Sequence, residues 1–125
     1  MKQFLIAALL FYSTLSLADA SKNEWKATSL TEELIKKIQK AQLNYKECVI
    51  AEMQKPAYSK QTSKTATGDI IKQCEPALGK MREVYLKEKV PEIIADRHLK
   101  KMRIDITRRV LKQLMFAEAA NRAGQ

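Results

Sequence analysis

The chain has 125 residues, with 23 Lys and Arg against 14 Asp and Glu, giving a formal charge of +9. That length holds one small domain, or one domain and a targeting segment, and a hydrophobic content of 46% separates it from disordered chains. Three glycines, three prolines, one histidine and two cysteines argue against sandwiches, barrels, Gly-rich nucleotide loops, zinc sites and Cys–His nucleophile pairs, and favour long helices.

Met1-Lys2-Gln3 is a short positive start, and residues 4–17 (FLIAALLFYSTLSL) are apolar apart from Ser13, Thr14 and Ser16. Ala18-Asp19-Ala20 then supplies the small-x-small pattern of a signal-peptidase site. Residues 1–20 are therefore expected to be a secretory signal peptide cleaved after Ala20. The apolar run is shorter than the roughly 20 residues that span a bilayer, and Ser21 rather than cysteine follows the site, which argues against a lipoprotein anchor. The short charged start points to a bacterial envelope, so the expected location is the periplasm or the secreted fraction. Residues 21–125 are expected to form a single helical domain. A chain of that size buries only about two thirds of its unfolded surface, so a covalent staple would help it.

Three helical runs follow, over about 29–54, 68–89 and 91–121. Ser29-Leu30-Thr31-Glu32 matches a capping box, and Glu32 and Glu33 suit the positive end of a helix. Leu34, Ile38, Ala41, Tyr45 and Cys48 then recur at steps of 4, 3, 4 and 3, which is one helix face. Residues 55–67 are polar and without period, so a loop is expected, with Tyr58 exposed. Ile70, Cys74, Ala77, Met81 and Tyr85 form the next face, interrupted by Pro76, which either kinks the helix or marks a later start. Pro91 opens the third run. Ala95, Leu99, Met102, Ile106, Val110, Leu114 and Ala117 keep its period, and Gly124 is a plausible stop. The fold class expected is all-α: an antiparallel helical hairpin plus a long basic third helix, a small three-helix bundle.

In such a hairpin Cys48 and Cys74 fall at equal height on the apolar faces, and an oxidising compartment would join them. Closing that loop adds roughly 3–4 kcal/mol on the chain-entropy model. Redox-active pairs usually lie closer in sequence, as in Cys-x-x-Cys, so a structural disulfide is expected.

Residues 97–125 hold +6 of the net charge, through eight basic and two acidic side chains. Such a surface attracts polyanions, although a solvated helix face would look the same. At about 100° per residue, Ile93, Ile104, Leu111 and Met115 fall on one stripe of the third helix, nearly opposite its core stripe. Arg97, Lys100 and Arg108 thread through them. A helix with two apolar faces is either sandwiched or binds something. The partner-binding residues expected are Arg97, Lys100, Ile104, Arg108, Leu111 and Met115. The partner expected is a protein, with an acidic one among the candidates, or a second copy of the chain (a homodimer); a membrane surface is also open. Leu43 and Ile50 lie off the main stripe of the first helix. Nucleic acid fits poorly, because no aromatics interleave the basic run and no helix-turn-helix punctuation is visible.

His98 and Met102, four apart, could with Met53, Met81 and Met115 be a soft copper site, but methionine at helical period is ordinary core filling. No metal site and no cofactor are expected. The carboxylates have bland assignments, Asp96 with Lys100 and Asp105 with Arg109 at i,i+4. No G-x-S-x-G, H-E-x-x-H or glycine-rich loop is present, so no catalytic residues and no enzyme are expected. Trp25 could dock the N-terminal arm.

This plan of signal peptide, small basic helical body and exposed apolar surface resembles that of helical envelope-stress chaperones and of small disulfide-bonded immunity proteins. Chaperones of the Spy type carry L-T-x-x-Q. Leu30-Thr31-Glu32-Glu33-Leu34 has its first two residues and leucine in place of glutamine, so only the plan is shared. The function expected is non-catalytic binding of an acidic or amphipathic protein in the envelope, as inhibitor, immunity protein or chaperone. The alternatives are peripheral association with anionic envelope lipid through the third helix and, behind it, copper binding.

Overall fold

The computed structural model describes residues 31–125; the expected signal peptide, Ser29 and Trp25 lie outside them. The described chain is all-helical: α1 (Glu32–Met53), a 3-10 turn (Pro56–Lys60), α2 (Ser63–Gln73), α3 (Glu75–Lys87) and α4 (Glu92–Ala123). Four helices replace the three expected, because the second run is two.

α1 starts at Glu32, three residues later than expected. Its cap is Thr31, in extended conformation, whose Oγ1 accepts from the Leu34 amide at 3.2 Å. The expected loop of 55–67 is also shorter. Thr62 caps α2 by accepting from the Thr65 amide, and the Thr67 hydroxyl folds back onto the Ser63 carbonyl at 2.7 Å. A threonine cap thus supplies the start of α2 where apolar period gives none. Tyr58 is half-buried rather than exposed. It packs on the core from the 3-10 turn, and its hydroxyl donates to Glu52 at 2.8 Å.

Pro76 marks a restart. Without an N–H it cannot bond the Lys72 carbonyl, so α2 ends at Cys74, whose own carbonyl then accepts from Ala77 and Leu78 as α3 begins. Proline sits in the first turn of α3, where a missing donor costs nothing. Cys74 is fully buried at this junction and is disulfide-bonded to Cys48 of α1, with the Cα atoms 5.9 Å apart.

The end of α3 needs a left-handed residue, and Lys89 supplies it at φ 60°. Its amide bonds Leu86, and the Val90 amide bonds Tyr85, which is the Schellman pattern with lysine where glycine is usual. Val90 and Tyr85 are both buried beneath it.

α1 packs on α3, while α4 packs on both α2 and α3. Cross-helix pairs give the directions. Lys37 meets Glu88, Arg82 meets Asp96, Arg103 meets Glu75, and the Ser63 amide meets Glu118. α3 is thus antiparallel to α1, and α2 and α3 follow one another along α4. The core joins Tyr45, Val49, Ile70, Ile71, Met81 and Val110. Ala117, expected on the core face of the third helix, is exposed beyond it.

Two stability outcomes follow from these contacts. Reducing the disulfide, or replacing both cysteines by serine, should lower unfolding stability by roughly 3–4 kcal/mol, since it frees a separation of 26 residues. Denaturant titrations with and without reductant measure this, and coincident curves would show the bond to be incidental. Lys89→Gly should raise stability by about 0.5–1 kcal/mol, the left-handed penalty less the added chain entropy. An unchanged or lower melting temperature would contradict that account.

Candidate functional site

α4 has 32 residues and two unlike faces. Ala95, Leu99, Ile106 and Val110 are buried against α2 and α3. The residues expected to bind a partner lie on the other side. Arg97, Lys100 and Arg108 are exposed, as are Ile104 (39%) and Met115 (55%), while Leu111 is half-buried. The stripe is therefore surface, and α4 is not sandwiched among the described residues. Arg108, Leu111 and Met115 come together with Lys112, Phe116 and Ala119 around a shallow groove of about 390 Å³. Ile104 lies one turn before Arg108, Lys100 one turn before Ile104 and Arg97 two turns before it, all outside the groove.

Phe116 is the most exposed large apolar residue among the described residues, at 66%, and the stripe reasoning omits it. At about 100° from Met115 it falls at the edge of the stripe rather than along it. Its spacing from Lys112 was the available signal. The two are four apart, and the Lys112 ammonium lies 5.9 Å from the ring centroid.

The charges of α4 are sorted by side. Glu92 and Asp96 both hold Arg82 of α3, Asp96 through Nε at 2.7 Å. Asp105 holds Lys101 at 2.9 Å, and Glu118 accepts from the Ser63 amide and from Arg122. The expected pairs of Asp96 with Lys100 and Asp105 with Arg109 do not form. Arg82 reaches across the α3–α4 hairpin with a two-pronged grip that lysine lacks, and Lys101 takes Asp105 from the preceding turn. Hydrogen bonding to Arg82 and to Lys101 holds the carboxyls of Asp96 and Asp105 below the usual range, with Arg108 and Arg109 adding to the effect at Asp105. Glu118 is lowered chiefly by Ser63 at the start of α2. By contrast Arg97, Lys100, Arg108, Arg109 and Lys112 make no ion pair among the described residues.

Other candidate sites are weaker. A pocket of about 520 Å³ lies between the 3-10 turn and the end of α4. Of its polar lining, Tyr58 and Lys55 are engaged on Glu52 and Ser63 on Glu118, whereas the buried Gln61 Oε1 has no hydrogen-bond partner among the described residues. The soft-metal candidates scatter. Met81 is buried, Met115 is exposed on the far side of α4 from Met102, and Met53 lines the pocket at the C-terminal end of α4. His98 packs edge-on against Tyr85 at 6.0 Å. Among the described residues no three His, Cys, Asp or Glu side chains gather as a metal-binding group, and no helix is long and apolar enough to cross a membrane. Comparison with protein-family models, curated proteins and solved structures gives no match to this chain.

The two faces of α4 should respond differently to substitution. Ile106→Ala should cost about 2–5 kcal/mol by opening the core, whereas Phe116→Ser should stay within about 0.5 kcal/mol of the parent. Chemical denaturation separates them. A large loss for Phe116→Ser would show that the ring supports the fold rather than an outer surface.

Proposed function

We propose that the chain is an exported, non-catalytic binding protein that engages an acidic or amphipathic protein partner in the bacterial envelope, in the manner of an inhibitor, an immunity protein or a chaperone. The observation that carries this reading is the outer face of α4. It exposes Ile104, Met115 and Phe116 beside four basic side chains without ion-pair partners among the described residues, Arg97, Lys100, Arg108 and Lys112, while the opposite face is occupied by the core. Exposed apolar residues set among cations suit a surface with an apolar centre and carboxylates around it. Secretion through residues 1–20 and the disulfide fit an oxidising compartment.

Association with anionic lipid is the second reading, favoured by the Lys112–Phe116 pair at the edge of the groove. Against it, Arg108 lies in the middle of the apolar stripe, where an interfacial helix keeps its cations at the margins.

A pull-down from native envelope extract at about 0.15 M salt, comparing the purified protein with a folded Ile104→Asp/Leu111→Asp variant, tests this reading. One stoichiometric protein, lost with the variant and retained as salt is raised, is the expected result. Recovery of the same material by both baits would remove the face from consideration. Capture of lipid alone, lost steeply with salt, would favour the second reading.

A further inference from the structure

Ile104, Arg108, Leu111 and Met115 follow one another at steps of 4, 3 and 4, and Arg97 and Lys101 extend the series toward the N-terminus at steps of 4 and 3. This is the spacing by which one helix presents a continuous seam to another. Lys100 and Lys112 fall at the positions flanking the seam, one on either side. The sequence therefore carries a second helix-pairing pattern on α4, on the side that α2 and α3 leave uncovered.

The chemistry of the seam defines what can lie on it. Arg108 sits between Ile104 and the Leu111–Met115 pair, so a helix covering those apolar residues also covers its guanidinium. A buried arginine without a carboxylate is strongly unfavourable, and none on this chain reaches it among the described residues. Asp105, the nearest in sequence, holds Lys101. A second copy of α4 is a poor occupant. Paired parallel and in register, it sets Arg108 against Arg108, and paired antiparallel about Ile104 and Arg108, it sets Arg97, Lys101 and Arg108 opposite Met115, Leu111 and Ile104, covering each cation with an apolar side chain and no carboxylate. Charge complementarity instead selects a helix with apolar residues at seam positions, an acidic residue opposite Arg108 and acids opposite Lys100 and Lys112.

Resting on the protein-binding reading above, we infer that the outer face of α4 pairs side by side with an acidic amphipathic helix of its partner, and that Arg108 fixes the register of that pair through a carboxylate within the seam.

Three synthetic helical peptides of equal length test this against the purified full chain by fluorescence anisotropy at about 0.15 M salt. The first has leucine at seam positions, one central glutamate and flanking glutamates. The second replaces those glutamates by lysine, and the third scrambles the first. The first should bind, with the scrambled peptide weaker by about 30-fold or more, the effect of truncating one partner of a buried charge pair. Arg108→Glu, with folding checked by circular dichroism, should move the preference to the lysine peptide. Equal binding of the first and scrambled peptides, or an Arg108→Glu variant with unchanged preference, would overturn helix pairing. No peptide binding, with a native partner still lost on Ile104→Asp/Leu111→Asp substitution, would overturn the pairing and leave the protein-binding reading standing. No peptide binding and no dependence of the pull-down on that variant would sink both.

Discussion

The break at Cys74–Pro76 determines how the rest of the molecule is arranged. A proline in mid-helix removes one hydrogen bond and forces a restart, so what could have been one rod becomes α2 and α3. Two short helices of 11 and 13 residues have little independent stability and need support along their length. The disulfide gives it from one side by tying the junction to α1. The unbroken α4 gives it from the other, spanning the break with Arg103 on Glu75 at the junction, Glu118 on Ser63 at the start of α2, and Asp96 on Arg82 within α3. A splint of this kind commits its inner face, and among the described residues no other helix covers its outer face.

Charge follows the same division. The four carboxylates of α4 are engaged in pairs, three of them reaching another helix, so the acids serve the fold. Of the eight basic residues after Asp96, five have no such partner among the described residues, and four of those border or interrupt the apolar stripe. Individually, exposed pairs contribute little to stability. Their importance here lies in the imbalance they leave, a local field of one sign over an apolar strip, which raises encounter rates with acidic surfaces and discourages self-association.

Much of this was legible in the sequence where apolar period and covalent chemistry act together. The stripe from Leu34 to Cys48, the Cys48–Cys74 bond and both faces of α4 all follow from spacing, because a helix at 3.6 residues per turn fixes which side chains share a side. The failures cluster where local hydrogen bonds decide. Thr31 and Ser29 are both good caps two residues apart, and spacing cannot choose between them. Thr62 begins α2 within a stretch whose apolar residues near its start are Ala66 and, in the preceding turn, Ala57 and Tyr58, which set no helical period. Spacing leaves Tyr58 exposed because its anchor, Glu52, belongs to the end of α1 and is reached only after the chain turns back. Arg82 displaced Lys100 as the partner of Asp96 through tertiary proximity that an i,i+4 rule does not contain.

The candidate face was legible in outline and incomplete in content. Spacing finds residues that repeat, and Phe116 occurs once, at the margin, where only its exposure identifies it. Arg108 illustrates the opposite limit. On a wheel it looks like an interruption of an apolar stripe and weakens the case for a buried surface. In the fold, with the inner face occupied and the α4 acids engaged elsewhere, the same interruption becomes selective. Purely apolar seams accept many partners, including lipid and copies of the same chain, whereas one buried cation penalises every partner that lacks a carboxylate at that height. On the helix-pairing proposal, the residue that makes the stripe a poor core is therefore the one that would give it discrimination.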